Sequence, residues 1–178
     1  MNRSLHMLAK MIGCPIGERI ICTGPISYDE DGYPDYIGTP YWNGVDLAVK
    51  RQDPDMEDHE ILHELGHWFV ASDAQRKEPE FGLGYADLPL QQQTQNSVPL
   101  EEGNLQEALT QIFCVVVGSQ LGIPSRLRNY EPAKSWATYK VAKQQEWTLL
   151  DWGLLFEEWA PIFTQLVGST FSGHSRVD

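Results

Sequence analysis

The stretch Asp58-His59-Glu60-Ile61-Leu62-His63-Glu64-Leu65-Gly66-His67-Trp68 carries three histidines spaced by four and contains the pattern H-E-x-x-H twice. On an α-helix, residues four apart stand above one another on one face, so two such imidazoles converge on one point in space. The glutamate that follows the first histidine reaches the same neighbourhood without having to be a ligand. A general base acting on a metal-polarised water belongs there. The spacing predicts a metal-carrying helix from Met56 to Ala71.

Two registers satisfy the pattern, His59-Glu60-His63 and His63-Glu64-His67. Asp58 reads as an N-cap, which puts His59 in a first turn that frays, whereas His63 and His67 fall in the helix interior, where packing fixes rotamers. The second register is therefore assigned: His63 and His67 as metal ligands, Glu64 as the catalytic base. Gly66, between them, lets another backbone approach closely. The bland alternative, histidines with no ligand, suits a lone histidine better than three at this spacing.

A catalytic metal usually takes three protein ligands and keeps a position open. The remaining histidines, His6 and His174, lie near the termini, so a carboxylate is expected. A buried helix is predicted from Glu101 to Leu121, because Leu105, Ala108, Leu109, Ile112, Phe113, Val116 and Val117 recur at helical spacing before Gly122 and Pro124. Its head offers three acids. Glu102, one turn before Leu105 and Gln106, ranks first because it sits toward the core-facing side; Glu101 ranks second. Glu107, directed toward Thr110, Gln111 and Cys114 on a more polar face, ranks third. The same acids also suit the positive end of a helix dipole without binding anything.

The 178 residues, 42% of them hydrophobic, suffice for one core, so a single domain over residues 1–178 is expected. A net charge of -12 disfavours nucleic acid, whose phosphates require clustered Lys and Arg. The charge is uneven. Asp29 to Glu60 holds ten acidic residues against Lys50 and Arg51, while Arg126 to Lys143 holds five basic residues against Glu131. Both stretches read as solvated surface, or the basic one as a dock for an acidic partner. Cys14, Cys22 and Cys114 cannot all pair and show no C-x-x-C spacing; Cys114 reads as a small buried hydrophobe. That usage suggests a reducing, cytoplasmic setting. No stretch reaches the roughly 18 apolar residues of a membrane span, and the first residues show no long apolar leader segment.

Along the chain, Ser4 to Ile12 reads as a helix ended by Gly13 and Pro15. Short β-prone pieces follow at Arg19–Thr23, Asp35–Gly38 and Val45–Val49, separated by turn signals such as Asp31-Gly32 and Asn43-Gly44. They predict a small antiparallel or mixed sheet. Gly82 to Asn104 has neither period and reads as a long loop, roughly 83–104, of the length that is either disordered or functional, such as an active-site flap. Two amphipathic stretches close the chain, Ala133–Leu149 and Asp151–Val167, with Trp136, Tyr139, Trp147, Trp152, Phe156, Trp159 and Phe163 expected mostly in the core. The fold class is α+β: a small N-terminal β-sheet followed by a mainly helical region that carries the H-E-x-x-H helix.

The run His63-Glu64-x-x-His67-Trp68-x-x-Ala71-x-x-Ala74-x-Arg76-x-x-x-Glu80-Phe81-Gly82, with Ala108-Leu109, Phe113-Cys114-Val115 and Gly118 further on, resembles the elongation factor P hydroxylase family. The likeness lies around the metal motif and is weak elsewhere. It implies the second H-E-x-x-H, a third ligand from the acidic segment before the buried helix with Glu102 as nearest match, and iron-dependent hydroxylation of a modified lysine. This chain departs from the family after the Phe-Gly pair, where Leu83-Gly84-Tyr85-Ala86-Asp87-Leu88 replaces an aromatic and basic segment, and it lacks a Lys-Pro-Gln before the helix. A similar site with a glutamate third ligand also describes zinc peptidases, which implies a zincin-like core. Three functions are therefore carried forward, the first preferred: a hydroxylase-like enzyme using Fe(II), a zinc hydrolase, and a metal-stabilised interaction protein without catalysis. Either enzyme holds one divalent metal, Fe(II) or Zn²⁺, and acts on a protein or peptide.

Overall fold

The computed structural model describes residues 1–21, 27–28, 34–35, 41–51, 57–83, 97–123 and 149–171. Its helices are α1 (Arg3–Ile12), α2 (Asp58–Val70), α3 (Leu100–Leu121) and α4 (Leu149–Phe171). Its strands are β1 (Ile16–Ile21), β2 (Ser27–Tyr28), β3 (Pro34–Asp35) and β4 (Leu47–Arg51). The class is α+β and mostly helical. Short 3-10 turns at Gln75–Lys77 and Pro79–Gly82 follow α2.

Local chemistry sets the helix ends. Asn2 caps α1 by accepting from the Leu5 N–H at 3.0 Å. Gly13, at φ 74°, ends it with Cys14 N–H on the Ala9 carbonyl at 2.9 Å and Gly13 N–H on the Lys10 carbonyl at 3.3 Å. The end of α3 repeats the device, with Gly122 at φ 70° and Ile123 N–H on the Gly118 carbonyl at 2.8 Å. The start of α2 differs from expectation. Glu57 is its cap, and the Glu57 N–H donates to Glu60 at 2.8 Å. Asp58 lies in the first turn, where its carboxylate accepts from the Asn2 side chain at 2.7 Å and ties α1 to α2. The indole N–H of Trp68 makes a second tie, to the Ile12 carbonyl at 3.0 Å.

The strands form two separate pairs, so the sheet is neither one ladder nor wholly antiparallel. β1 and β4 pair in parallel, with Ile16 opposite Leu47 and a register shift between Gly17 and Ile20. β2 and β3 form a two-residue antiparallel pair. The Asn43-Gly44 signal acts just before β4: Asn43 Oδ1 accepts from the Val45 and Asp46 N–H groups, each at 2.8 Å, and Trp42 bridges back to Leu47.

The three rows of α2 face different neighbours. Ile61 and Leu65 are fully buried, as is Leu62, and each such side chain contributes about 1.5–3 kcal/mol. Phe69 packs its ring on Phe113 of α3 and Phe163 of α4. His63 and His67 occupy the third row. α3 packs against α2 and α4, contributing Ile112, Phe113, Cys114, Val116 and Val117 to the core. Leu105, expected in that core, is 38% exposed, whereas its neighbour Gln106 is buried.

Of the aromatics expected in the core, Phe163 is fully buried, Trp159 packs at the core's edge and Phe156 is 37% exposed. Trp136, Tyr139, Trp147 and the Trp152 side chain lie outside the described residues, as do the basic stretch 126–143, Cys22 and residues 84–96 of the expected loop. The end of that loop, from Leu100, belongs to α3. No helix of the described residues is long and apolar enough to cross a membrane.

Gly66 sets the spacing of α2 and α3. A Cβ there would lie 2.9 Å from Thr110 Cγ2 and 3.1 Å from Phe113 Cδ1. Gly66→Ala gains up to about 1 kcal/mol of helix propensity. Overpacking against a β-branched and an aromatic side chain costs about 1–3 kcal/mol. Urea unfolding should therefore show a net loss of stability; a gain would mean that the helices are not held this closely.

Candidate metal centre

His63 and His67 stand one turn apart on α2, and the next helix brings a carboxylate to them. The two Nε2 atoms are 3.0 Å apart. Glu107 places Oε1 3.5 Å from His67 Nε2 and Oε2 3.9 Å from His63 Nε2. One donor atom from each residue lies within 4.8 Å of the others. With bonds near 2.0–2.1 Å, a tetrahedral ion spaces its donors about 3.3 Å apart and an octahedral ion spaces adjacent ones about 3.0 Å apart. The observed separations fit a single ion of either geometry, and the group is close enough to hold one.

The state of His67 suits ligation. It is 5% exposed, and burial lowers its pKa to about 4, so the ring is neutral at pH 7. Thr110 Oγ1 is 3.3 Å from its Nδ1. With Nδ1–H donating to that hydroxyl, the lone pair stays on Nε2, facing His63 and Glu107. Phe81 lies alongside the same ring, 5.8 Å between centroids and 25° from parallel. Phe81 in turn stacks on Trp42 at 5.6 Å and 3°.

The site is rich in carboxyls withdrawn from water, Glu64 buried and Glu80 and Glu107 half-buried. Glu64 is buried, and its Oε2 finds no hydrogen-bond partner among the described residues. Burial first, then the charges of Glu80, Glu107 and Glu60, push its pKa well above the usual carboxylate range. Burial also raises Glu107, against a lowering by His63. Glu80 is pushed up to about 7, chiefly by burial, although the backbone N–H groups of Tyr41 and Trp42 and the charge of Arg19 pull it down. Glu80 and Phe81 have φ of 48° and 56°, a left-handed conformation that costs about 1–2 kcal/mol per residue. Full burial of Phe81 contributes about 1.5–3 kcal/mol, enough to offset much of that strain.

The structure thus brings together His63, His67 and Glu64 as the spacing predicts, but with Glu107 rather than Glu102. The exposed Glu102 instead accepts from Gln106 Nε2 at 3.5 Å, and the side chain of Glu101 lies outside the described residues. Five residues separate Glu102 from Glu107, about 7.5 Å along the axis and about 140° around it. The phase that favoured Glu102 took Leu105 as core-facing, and Leu105 is exposed. The polar face of Glu107 and Thr110 is the one that meets the histidines. His59 is outside the donor group and pairs its Nδ1 with Glu57 at 3.1 Å. Glu80 was missed as part of the site; a half-buried acid beside Phe81 and Gly82 has no periodic signal of its own.

Arg76 has a different task. It donates to the carbonyls of Trp68 at 3.0 Å and Phe69 at 3.4 Å and lies 4.7 Å over the Trp68 ring, closing the end of α2. No protein-family model, no curated protein and no solved structure matches this chain.

Two outcomes are expected. Metal analysis should show binding lost in His63→Ala, His67→Ala and Glu107→Gln, and kept in His59→Ala and Glu102→Gln; loss in Glu102→Gln with retention in Glu107→Gln would reverse the assignment. The second concerns pH. A raised carboxyl stabilises fully below its unfolded value of 4.5, and that stability is lost as pH rises through the folded value, about 7 for Glu80. The lowered His67 acts oppositely, stabilising above 6.5 and losing that stability as pH falls toward about 4. Above pH 6.5 only the carboxyls still act, so the Tm of metal-free protein should fall as pH rises from 6.5 through about 7. Glu80→Gln should flatten that fall; an unchanged slope would contradict it.

Proposed function

We propose that the chain is a metal-dependent hydrolase of protein or peptide bonds, with His63, His67 and Glu107 as ligands and Glu64 as the base. The observation that carries this reading is the juxtaposition of a three-donor group with a buried glutamate whose Oε2 has no partner among the described residues. A divalent cation bound there, such as Zn²⁺, acts as a Lewis acid and brings the pKa of a water toward 7. A cation also favours the ionised form of nearby carboxylates, so Glu64, held toward its neutral form by burial and by neighbouring acids, becomes a competent base.

Glu64 then takes the proton of the attacking water on its carboxylate and holds it until the C–N bond breaks. The water oxygen adds to the peptide carbonyl, the C–N bond breaks, and Glu64 returns the proton to the departing amine. Thr110 and Phe81 keep His67 from turning away during the cycle.

A second reading, hydroxylation of a protein side chain with Fe(II), is favoured by one observation. Phe81, in the segment that resembles elongation factor P hydroxylases, packs directly on His67. Two histidines and one carboxylate with open positions is also the ligand set of non-haem Fe(II) oxygenases. That chemistry has no general need for a base at Glu64, and it uses molecular oxygen.

Glu64→Gln separates the readings. For the hydrolase, the zinc-loaded variant should keep its metal and lose peptide cleavage by about 10²–10⁴-fold. Oxygen uptake by the iron-loaded protein with a peptide substrate, undiminished in Glu64→Gln, would establish the hydroxylase instead. Metal binding that raises Tm with neither turnover would leave a metal-stabilised interaction protein.

A further inference from the structure

The turn Glu80–Gly82 is the one place among the described residues where non-glycine side chains adopt left-handed backbone, and the ligand set does not use it. Such strain persists only where the surroundings over-determine it, and it collects at functional sites. Tethers hold this turn on both sides. The Glu80 N–H donates to the Trp42 carbonyl at 2.8 Å, and the backbone N–H groups of Tyr41 and Trp42 favour the ionised form of its carboxylate. On the other side, the Gly82 carbonyl accepts from Ser97 N–H at 3.1 Å and Val98 N–H at 3.2 Å. Between the tethers, Phe81 is 1% exposed and lies between Trp42 and His67.

We propose that Glu80 is a positioning residue of the metal centre: its half-buried carboxylate pins the left-handed turn to Tyr41 and Trp42, seats the Phe81 ring against His67, and thereby fixes that imidazole. The inference rests on reading His63, His67 and Glu107 as ligands. Thr110 constrains the Nδ1 edge of His67, and Phe81 constrains its face. Together they keep Nε2 directed at His63 and Glu107. Released from Tyr41 and Trp42, the turn relaxes toward ordinary backbone, Phe81 leaves the ring, and the imidazole gains freedom about its Cβ–Cγ bond.

The test uses the full chain as wild type, Glu80→Ala, Glu80→Gln and Phe81→Leu. Two properties are measured: Co²⁺ binding with its visible absorption spectrum, and the NMR signals of the His67 ring in metal-free protein. Glu80→Ala should bind Co²⁺ about tenfold more weakly, judging from other groups that orient ligands. It should also shift the spectrum and remove the Phe81 ring-current effect on His67. Glu80→Gln, which keeps an acceptor oxygen for the two amides, should restore all three properties, and Phe81→Leu should reproduce the losses. Wild-type affinity, spectrum and His67 signals in Glu80→Ala would overturn the proposal, as would a Glu80→Gln no better than Glu80→Ala. If Glu80→Ala does not fold, an unaltered Co²⁺ spectrum in Phe81→Leu overturns it. If the wild type takes up no Co²⁺, the ligand reading fails, while the His67 signals still decide whether Glu80 positions the ring.

Discussion

The close approach of α2 and α3 at Gly66, where a single Cβ would collide with Thr110 and Phe113, is the constraint on which the candidate centre depends. Two imidazoles one turn apart need only a helix, but a third donor must come from another part of the chain. Because Gly66 lies between the histidines, α3 comes close at the level from which Glu107 and Thr110 project. Thr110 serves twice, filling the space above Gly66 with its methyl group and meeting His67 Nδ1 with its hydroxyl. Packing and ligand orientation are therefore the same contact.

The electrostatics run against the metal-free protein. Glu64, Glu80 and Glu107 are all driven toward their neutral forms, mainly by burial, while His67 is held neutral. Glu64 Oε2 and Glu80 Oε1, buried without a hydrogen-bond partner among the described residues, carry a desolvation cost. A cation among them would supply the missing charge compensation. The helices pay that cost with the core around Ile61, Leu62, Leu65, Ile112 and Phe113.

Behind the centre, Trp68, Trp42, Phe81 and His67 form a continuous column of rings, with Trp42 and Trp68 edge to face at 4.8 Å. The Trp42 indole N–H donates to the Arg76 carbonyl at 3.0 Å, and Arg76 closes the end of α2. The segment before β4, the strained turn and the motif helix thus brace one another. Residues distant in sequence share one aromatic wall because each needs an apolar neighbour and each indole N–H finds a backbone carbonyl.

The H-E-x-x-H spacing was enough to place His63, Glu64 and His67 on one helix, since helical period is a local property of the chain. Apolar periodicity located α3, and glycines located the ends of α1 and α3, for equally local reasons. The sequence also favoured His63 and His67 over His59, and those two stand with Glu107 in the group that could hold an ion. It did not determine which acid of α3 meets them. That depends on the rotation and level of one helix against another, and Leu105 was a misleading guide to the buried side. Nor did it show that β1 and β4 run parallel, or that Glu80 and Phe81 take left-handed backbone. The pairing joins Ile16–Ile21 to Leu47–Arg51, and the turn is tethered to Trp42, Ser97 and Val98; both are contacts between segments apart in the chain, which only the tertiary fold brings within hydrogen-bonding distance.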